Sequence, residues 1–285
     1  MNKLNFLIGF NPINFPINLS GGMTVIKKLS ETLTELGNNV YVLNLQYKNK
    51  NNHLISVSDI NKLETERTVV IYPEITTGNP FNQKNVSRWV LYHTNQNVEE
   101  TWGVNDEYFY FSDFFETFKT FDTKKILKCY DYHLDTLKNK NNNRKGYCHI
   151  NKLNRPELDK NIVQKYNSED LTLGFRTYGM EWLCDKMNEK EYFITYDNAT
   201  FFSVAASLCG CNSVILYDGI KNENLKHKVE SFKYGISYGF EEVEETKKTS
   251  HLLRGHLENI EKESIQSIKD FVSFWEKKLN HSNNE

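Results

Sequence analysis

Leu4-Asn5-Phe6-Leu7-Ile8-Gly9-Phe10 is a short apolar run, the pattern of a strand buried on both faces. A loop with Pro12, Pro16 and Ser20-Gly21-Gly22 follows, and then Val25, Ile26, Leu29, Leu33 and Leu36 recur at helical spacing. Gly37 ends that helix, since glycine takes the left-handed conformation that helix C-termini favour. Val40-Tyr41-Val42-Leu43-Asn44-Leu45 reads as the next strand. Strand, helix and strand make a βαβ unit with a right-handed crossover as the default.

The same alternation continues outward. Residues 46–53 are rich in Asn and Lys and read as a solvent loop. Thr68-Val69-Val70-Ile71-Tyr72, with Pro73-Glu74 at its end, is a third strand, and Arg88-Trp89-Val90-Leu91-Tyr92 a fourth. Tyr108–Phe111 and Lys125–Lys128 read as later strands of the same half. The polar run 137–146 is the strongest break in composition and suits a linker or long loop. It divides the chain into expected domains 1–140 and 141–285. The second half holds strands at Gly146–Ile150, Glu191–Tyr196 and Ser213–Tyr217, with a small-residue helix from Ala199 to Leu208 between the last two. The fold class is therefore α/β, with two Rossmann-like halves.

The tail reads as one long helix. Leu257, Ile260, Ser264, Ile268, Phe271, Trp275 and Leu279 fall at spacings of three and four, giving a single mostly apolar stripe. A helix that closes the fold is the preferred reading. A peripheral membrane contact is the rival, weakened by flanking charges of both signs.

Composition narrows the function classes. Of 285 residues 39% are apolar and 13% aromatic, enough for a packed core. The net charge of −2 gives no global basic field, so no nucleic-acid partner is expected. No run of about 18 apolar residues marks a spanning helix. Asn11-Pro12 stops the first apolar run before a signal peptide could be completed, so a cytoplasmic protein is expected. Cys129, Cys148, Cys184, Cys209 and Cys211 are odd in number and lack CxxC spacing, which argues for reduced thiols over a disulfide framework or a metal site.

In α/β folds ligands sit at the carboxyl ends of the strands, so candidate residues are those just past them. Gly21 and Gly22 precede the first helix, where glycines let a phosphate approach backbone N–H groups. Glu74 and His93 follow strands and suit a base or a sugar-hydroxyl partner. His149, Lys152 and Arg155 follow the strand that opens the second half, where cations would neutralise a leaving diphosphate. Asp197, Asn198 and Thr200 precede the small-residue helix, either as caps or as partners of ribose and phosphate. Each also has a plain structural reading: turn, cap or solvated charge.

Three segments together resemble bacterial and viral polysaccharide glycosyltransferases of the GT-B fold. They are Tyr72–Pro80 followed by Arg88–Leu91, Tyr196–Thr200 leading into Ala205–Cys211, and Tyr234–Gly239 ahead of the terminal helix. The resemblance implies two Rossmann-like domains facing a central cleft. It implies a nucleotide-diphospho-sugar donor held by the second half and a glycan or glycolipid acceptor held by the first, with no metal and no further cofactor. It would place Lys152 and Arg155 on the diphosphate, and Thr200 and Ser203 near the nucleotide. Gly21-Gly22 would approach the donor phosphate or the reacting sugar. Asp197 joins Glu74 and His93 as a catalytic candidate, and Asn79, His149 and Asn198 are candidates for binding substrate. Retaining members of the fourth glycosyltransferase family carry two glutamates at positions matching Asp197 and Ala205, counted back from Gly210. The first position keeps a carboxylate and the second has none. This leaves open an inverting enzyme with Glu74 or His93 as base, a divergent donor site, or a non-catalytic nucleotide-sugar or glycan-binding relative. A nicotinamide-dependent enzyme is disfavoured, because the first βα turn lacks GxGxxG.

Overall fold

The computed structural model describes residues 3–9, 21–42, 53–54, 57–113, 115–119, 124–151, 156–216 and 229–282. Within them the chain divides into two compact units, residues 1–130 with 262–285, and residues 131–261. In the first unit lie strands β1 (Asn5–Ile8), β2 (Asn39–Val42), β3 (His53–Leu54), β4 (Thr68–Pro73), β5 (Asn85–Val90), β6 (Glu107–Tyr110) and β7 (Lys125–Ile126). Helices α1 (Gly21–Glu35), α2 (Val57–Ile60) and α3 (Gln96–Glu99) lie between them. The second unit carries β8 (Tyr147–His149), α4 (Pro156–Tyr166), β9 (Glu169–Asp170), α5 (Thr172–Glu189), β10 (Tyr192–Thr195), α6 (Phe201–Leu208), β11 (Asn212–Ile215), β12 (Ile236–Tyr238) and α7 (Val243–Thr249). The terminal helix α8 (Leu253–Ser282) begins in the second unit and ends in the first.

Both sheets are parallel throughout. The first has the order β3-β2-β1-β4-β5-β6-β7, the second β12-β11-β10-β8-β9. Parallel strands are covered on both faces, which is why β4 and β5 are buried at every residue. In the first unit Phe6, Ile8, Val40, Val69, Ile71, Trp89 and Phe109 point to one face. There they meet Ile26, Leu29 and Leu33 of α1 and Ile268, Phe271, Trp275 and Leu279 of α8. Leu7, Val70, Tyr72 and Val86, one residue out of phase, pack with Ile60 on the other.

The α8 stripe is buried along its whole length, Ser264 included. Ser264 Oγ accepts from Tyr130 N–H, and Ser267 Oγ accepts from Lys128 N–H while donating to the Ile126 carbonyl. These bonds cover the otherwise open edge at β7. Lys278 of α8 and Lys125 of β7 both pair with Glu107. Among the described residues no helix is long and apolar enough to cross a membrane.

The polar run 137–146 is not a free tether. Arg144 donates to the carbonyls of Met187, Asn188 and Cys209 and to the side-chain oxygens of Asn139 and Asn188. Asn188, fully buried, donates in turn to the carbonyls of Lys138 and Cys184. A run with few apolar groups is thus stitched into the second unit by hydrogen bonds. The five cysteines are buried free thiols. His53, read as solvent loop, pairs with Tyr41 as edge strand β3.

Candidate functional site

Each sheet has a topological switch point, where successive strands leave in opposite directions. In the first unit it lies between β1 and β4, and in the second between β8 and β10. The carboxyl ends of those strands are where an open α/β sheet binds ligands.

Glu74 is the first residue past β4. It is partly buried, and its Oε2 accepts from Leu91 N–H at 3.1 Å. Burial raises its carboxyl pKa above the usual value, against the lowering pull of the Leu91 amide and its own. A carboxylate of that kind is poised as a proton acceptor.

The loop behind Glu74 is fixed from below by Arg88. This side chain has no exposed surface and forms an ion pair with Asp106 at 2.7 Å. It donates to the carbonyls of Thr76 (3.2 Å) and Gly78 (2.6 Å), and lies over the rings of Tyr72 and Trp102. Trp102 Nε1 donates to the Thr76 carbonyl as well. Burial pushes the Tyr72 hydroxyl up to about 12, so it stays protonated and donates to Asn79 Oδ1. Gly9, at the end of β1, faces this ring: a Cβ there would sit 2.5 Å from Tyr72 Cε1. Only glycine lets strand end and ring approach so closely.

The other first-unit candidates fall as follows. Asn79 is exposed overall, but its side chain accepts from Tyr72 and Gln83 N–H and donates to the Gln83 carbonyl, holding the turn. His93 is exposed, with its ring 5.0 Å from Tyr92 and 5.6 Å from Phe115. Gly21 and Gly22 open the first turn of α1, and the loop before them lies outside the described residues.

In the second unit His149 ends β8 but is buried, with Nδ1 3.0 Å from Ser168 Oγ and its carbonyl accepting from Leu171 N–H. Asp197, past β10, accepts from Ala199 N–H and donates its own N–H to Thr195 Oγ1. Asn198 is partly buried beside it. Thr200 is the N-cap of α6, its hydroxyl accepting from Phe202 N–H. Ser203 is fully buried in the first turn of α6, and its Oγ has no hydrogen-bond partner among the described residues. Ala205, also fully buried, packs within the core-facing side of the same helix. Lys152 and Arg155 lie outside the described residues.

Sequence reasoning brought Glu74 and His93 to neighbouring strand ends and Asp197 and Thr200 to one helix start. It missed the Arg88–Asp106 pair and the ring of Phe115. An arginine beside Trp89-Val90-Leu91 was a signal, because a charge in an apolar strand needs a buried partner. Asp106 carries no such mark. Among the described residues no group of three or more His, Cys, Asp or Glu side chains converges in a way that suits a metal ion.

No family model matches this sequence, and no curated protein does. Solved structures do. The chain is similar to AviGT4, a glycosyltransferase involved in avilamycin A biosynthesis, at 14% identity and a TM-score of 0.61, over 97% of this chain and 98% of that one. It is similar to a glycosyltransferase from Rickettsia africae ESF-5 at 10% identity and a TM-score of 0.55, over 97% and 99% of the two chains. At such identities the likeness is one of fold: this chain has the two-sheet parallel α/β fold of those glycosyltransferases.

Proposed function

We propose that this chain is a glycosyltransferase that moves a sugar from a nucleotide-diphospho-sugar to a hydroxyl of a glycan or glycolipid acceptor. The observation that carries the reading is the Glu74 carboxylate, partly buried at a switch point, raised in pKa and aimed by the Leu91 amide. Glu74 takes the acceptor hydroxyl proton as that oxygen bonds the anomeric carbon. The anomeric carbon–phosphate oxygen bond breaks, and its electron pair leaves with the diphosphate. Attack from the face opposite the leaving group inverts the configuration.

By the family resemblance, the first unit would hold the acceptor and the second the donor. There the α6 N-terminus, capped by Thr200, favours negative charge. Lys152 and Arg155 would balance the departing diphosphate in place of a metal ion, as the family resemblance implies. Buried free thiols suit a reducing, cytoplasmic setting.

One observation favours a second reading, a non-catalytic nucleotide-sugar or glycan-binding protein. Ala205, where retaining relatives carry a carboxylate, is a methyl group in the core. Turnover separates the two. Melting of the purified chain is followed with UDP-, GDP-, CMP- and dTDP-sugars, since a donor at about 100 times its Kd adds about 2.7 kcal/mol. Release of the nucleotide diphosphate is then measured with and without acceptor sugars. Glu74→Gln is expected to keep the melting shift and lose about 10²- to 10⁴-fold in transfer. Full activity in that variant would remove Glu74 from the chemistry, and donor binding without any release would leave the binding-protein reading.

A further inference from the structure

We infer that Tyr92, His93 and Phe115 form a stacking platform for a carbohydrate acceptor, holding the apolar C–H face of a pyranose ring beside Glu74. The inference rests on the glycosyl-transfer reading and names the acceptor chemistry of the same site. Tyr92 and His93 follow β5, and Phe115 follows β6, the adjacent parallel strand. Their ring centroids lie 5.0, 5.5 and 5.6 Å apart with planes inclined at 69°, 55° and 89°, so His93 and Phe115 brace the Tyr92 ring from its sides and leave Tyr92 as the stacking face. Tyr92 is 59% exposed and His93 is exposed, while Phe115 is partly buried against the cluster of Val90, Trp102, Tyr108 and Tyr110 and anchors them. An exposed ring held in place by its neighbours offers an apolar face on which a ligand can stack.

The platform is built to hold its shape. Glu99, 1% exposed, accepts from the Thr94 hydroxyl on the β5 side and from Phe118 and Lys119 N–H on the β6 side. One buried carboxylate thus ties the two ring-bearing loops together, and ordering them costs the ligand little. Leu91, whose amide aims Glu74, immediately precedes Tyr92.

The rings and Glu74 together indicate the occupant. Glu74 is the carboxylate tied to this end through the Leu91 amide, and a carboxylate accepts hydrogen bonds from hydroxyls. Lys124 Nζ donates to the carbonyls of Asp113 and Phe115, and Lys119 Nζ to the Tyr108 hydroxyl. Rings beside a carboxylate match a sugar, which offers C–H groups on one face and hydroxyls at its rim.

Saturation-transfer NMR of the full chain with a panel of neutral oligosaccharides tests this. The expected result is saturation concentrated on the C–H protons of one pyranose face. Tyr92→Ala should weaken binding about five- to tenfold, and Tyr92→Phe, which keeps the ring, should restore it. Thermal melting of each variant separates lost binding from lost fold. Equal binding by Tyr92→Ala and the parent overturns the platform, as does failure of every oligosaccharide to bind. So does ring-dependent binding to phosphatidylglycerol vesicles in place of sugars. Ring-dependent sugar binding without any nucleotide-sugar melting shift keeps the platform and sinks the transferase reading.

Discussion

Arg88 and Glu74 stand in opposite electrostatic arrangements: one charge is fully paired, the other is held ready to change. Arg88 is buried with Asp106, and replacing it by Met would leave that carboxylate without its cation and the Gly78 carbonyl without its Arg88 donor, while Thr76 keeps the Trp102 indole. The expected cost is about 3–5 kcal/mol, read by chemical denaturation, with much of it recovered in Arg88→Met/Asp106→Leu. Glu74 behaves differently. Burial raises its pKa, so the folded state holds this proton more tightly than the unfolded chain does. Its stabilising contribution is full below the ordinary carboxylate pKa and is lost as pH rises through the raised value. Over that same window transfer should rise, because the base must be ionised to act. A pH series of melting and kcat/KM on the parent should therefore show opposed slopes, and Glu74→Gln should flatten the melting slope. Position after a strand made Glu74 legible in the sequence. The Asp106 partnership was not, since it arises only when β5 and β6 pair with Arg88 opposite Tyr108.

Elements were legible where burial imposes a simple pattern. Central parallel strands read as unbroken apolar runs, and β1, β4 and β10 follow that rule. The α8 stripe was equally plain, although the reason for a serine in it, the Tyr130 amide, needed the structure. Strand β9 was not legible, because Glu169 and Asp170 are exposed charges recruited by β8. Helix α5 hides for another reason. Gly179 breaks it at φ 80° and ψ −159°, a conformation essentially confined to glycine, so no single apolar face runs its length. Gly179→Ala is expected to cost about 1–3 kcal/mol although nothing stands within 4 Å of the added methyl, and a urea titration reads it. At the other end of the scale, Glu107 is pushed up by burial, yet its bonds to Lys125 and Lys278 win and lower its pKa. That contribution is present above the ordinary carboxylate pKa and is lost as pH falls through the lowered one. The protection of α8 amides, taken relative to their intrinsic exchange rate at each pH, should accordingly fall in acid, and less so in Glu107→Gln.

At the level of the molecule, the polar run 137–146 attracts a boundary in the sequence, whereas the chain divides after Tyr130 and again after Glu261. The second division falls inside a continuous helix and leaves no compositional trace. The first unit is thus assembled from two distant stretches, and Ile268, Phe271, Val272, Trp275 and Leu279 supply part of its core. A chain ending at Glu261 should lose protection from hydrogen exchange in β1 and β4 while β10 and β11 keep theirs. The arrangement also reverses the usual order of birth. Domains generally fold in the order they are synthesised, at about 5–20 residues per second. Here every residue of the second unit leaves the ribosome before the segment that seals the first. For several seconds at least, the nascent protein carries a half-covered apolar sheet that a chaperone, or another nascent chain, is free to find.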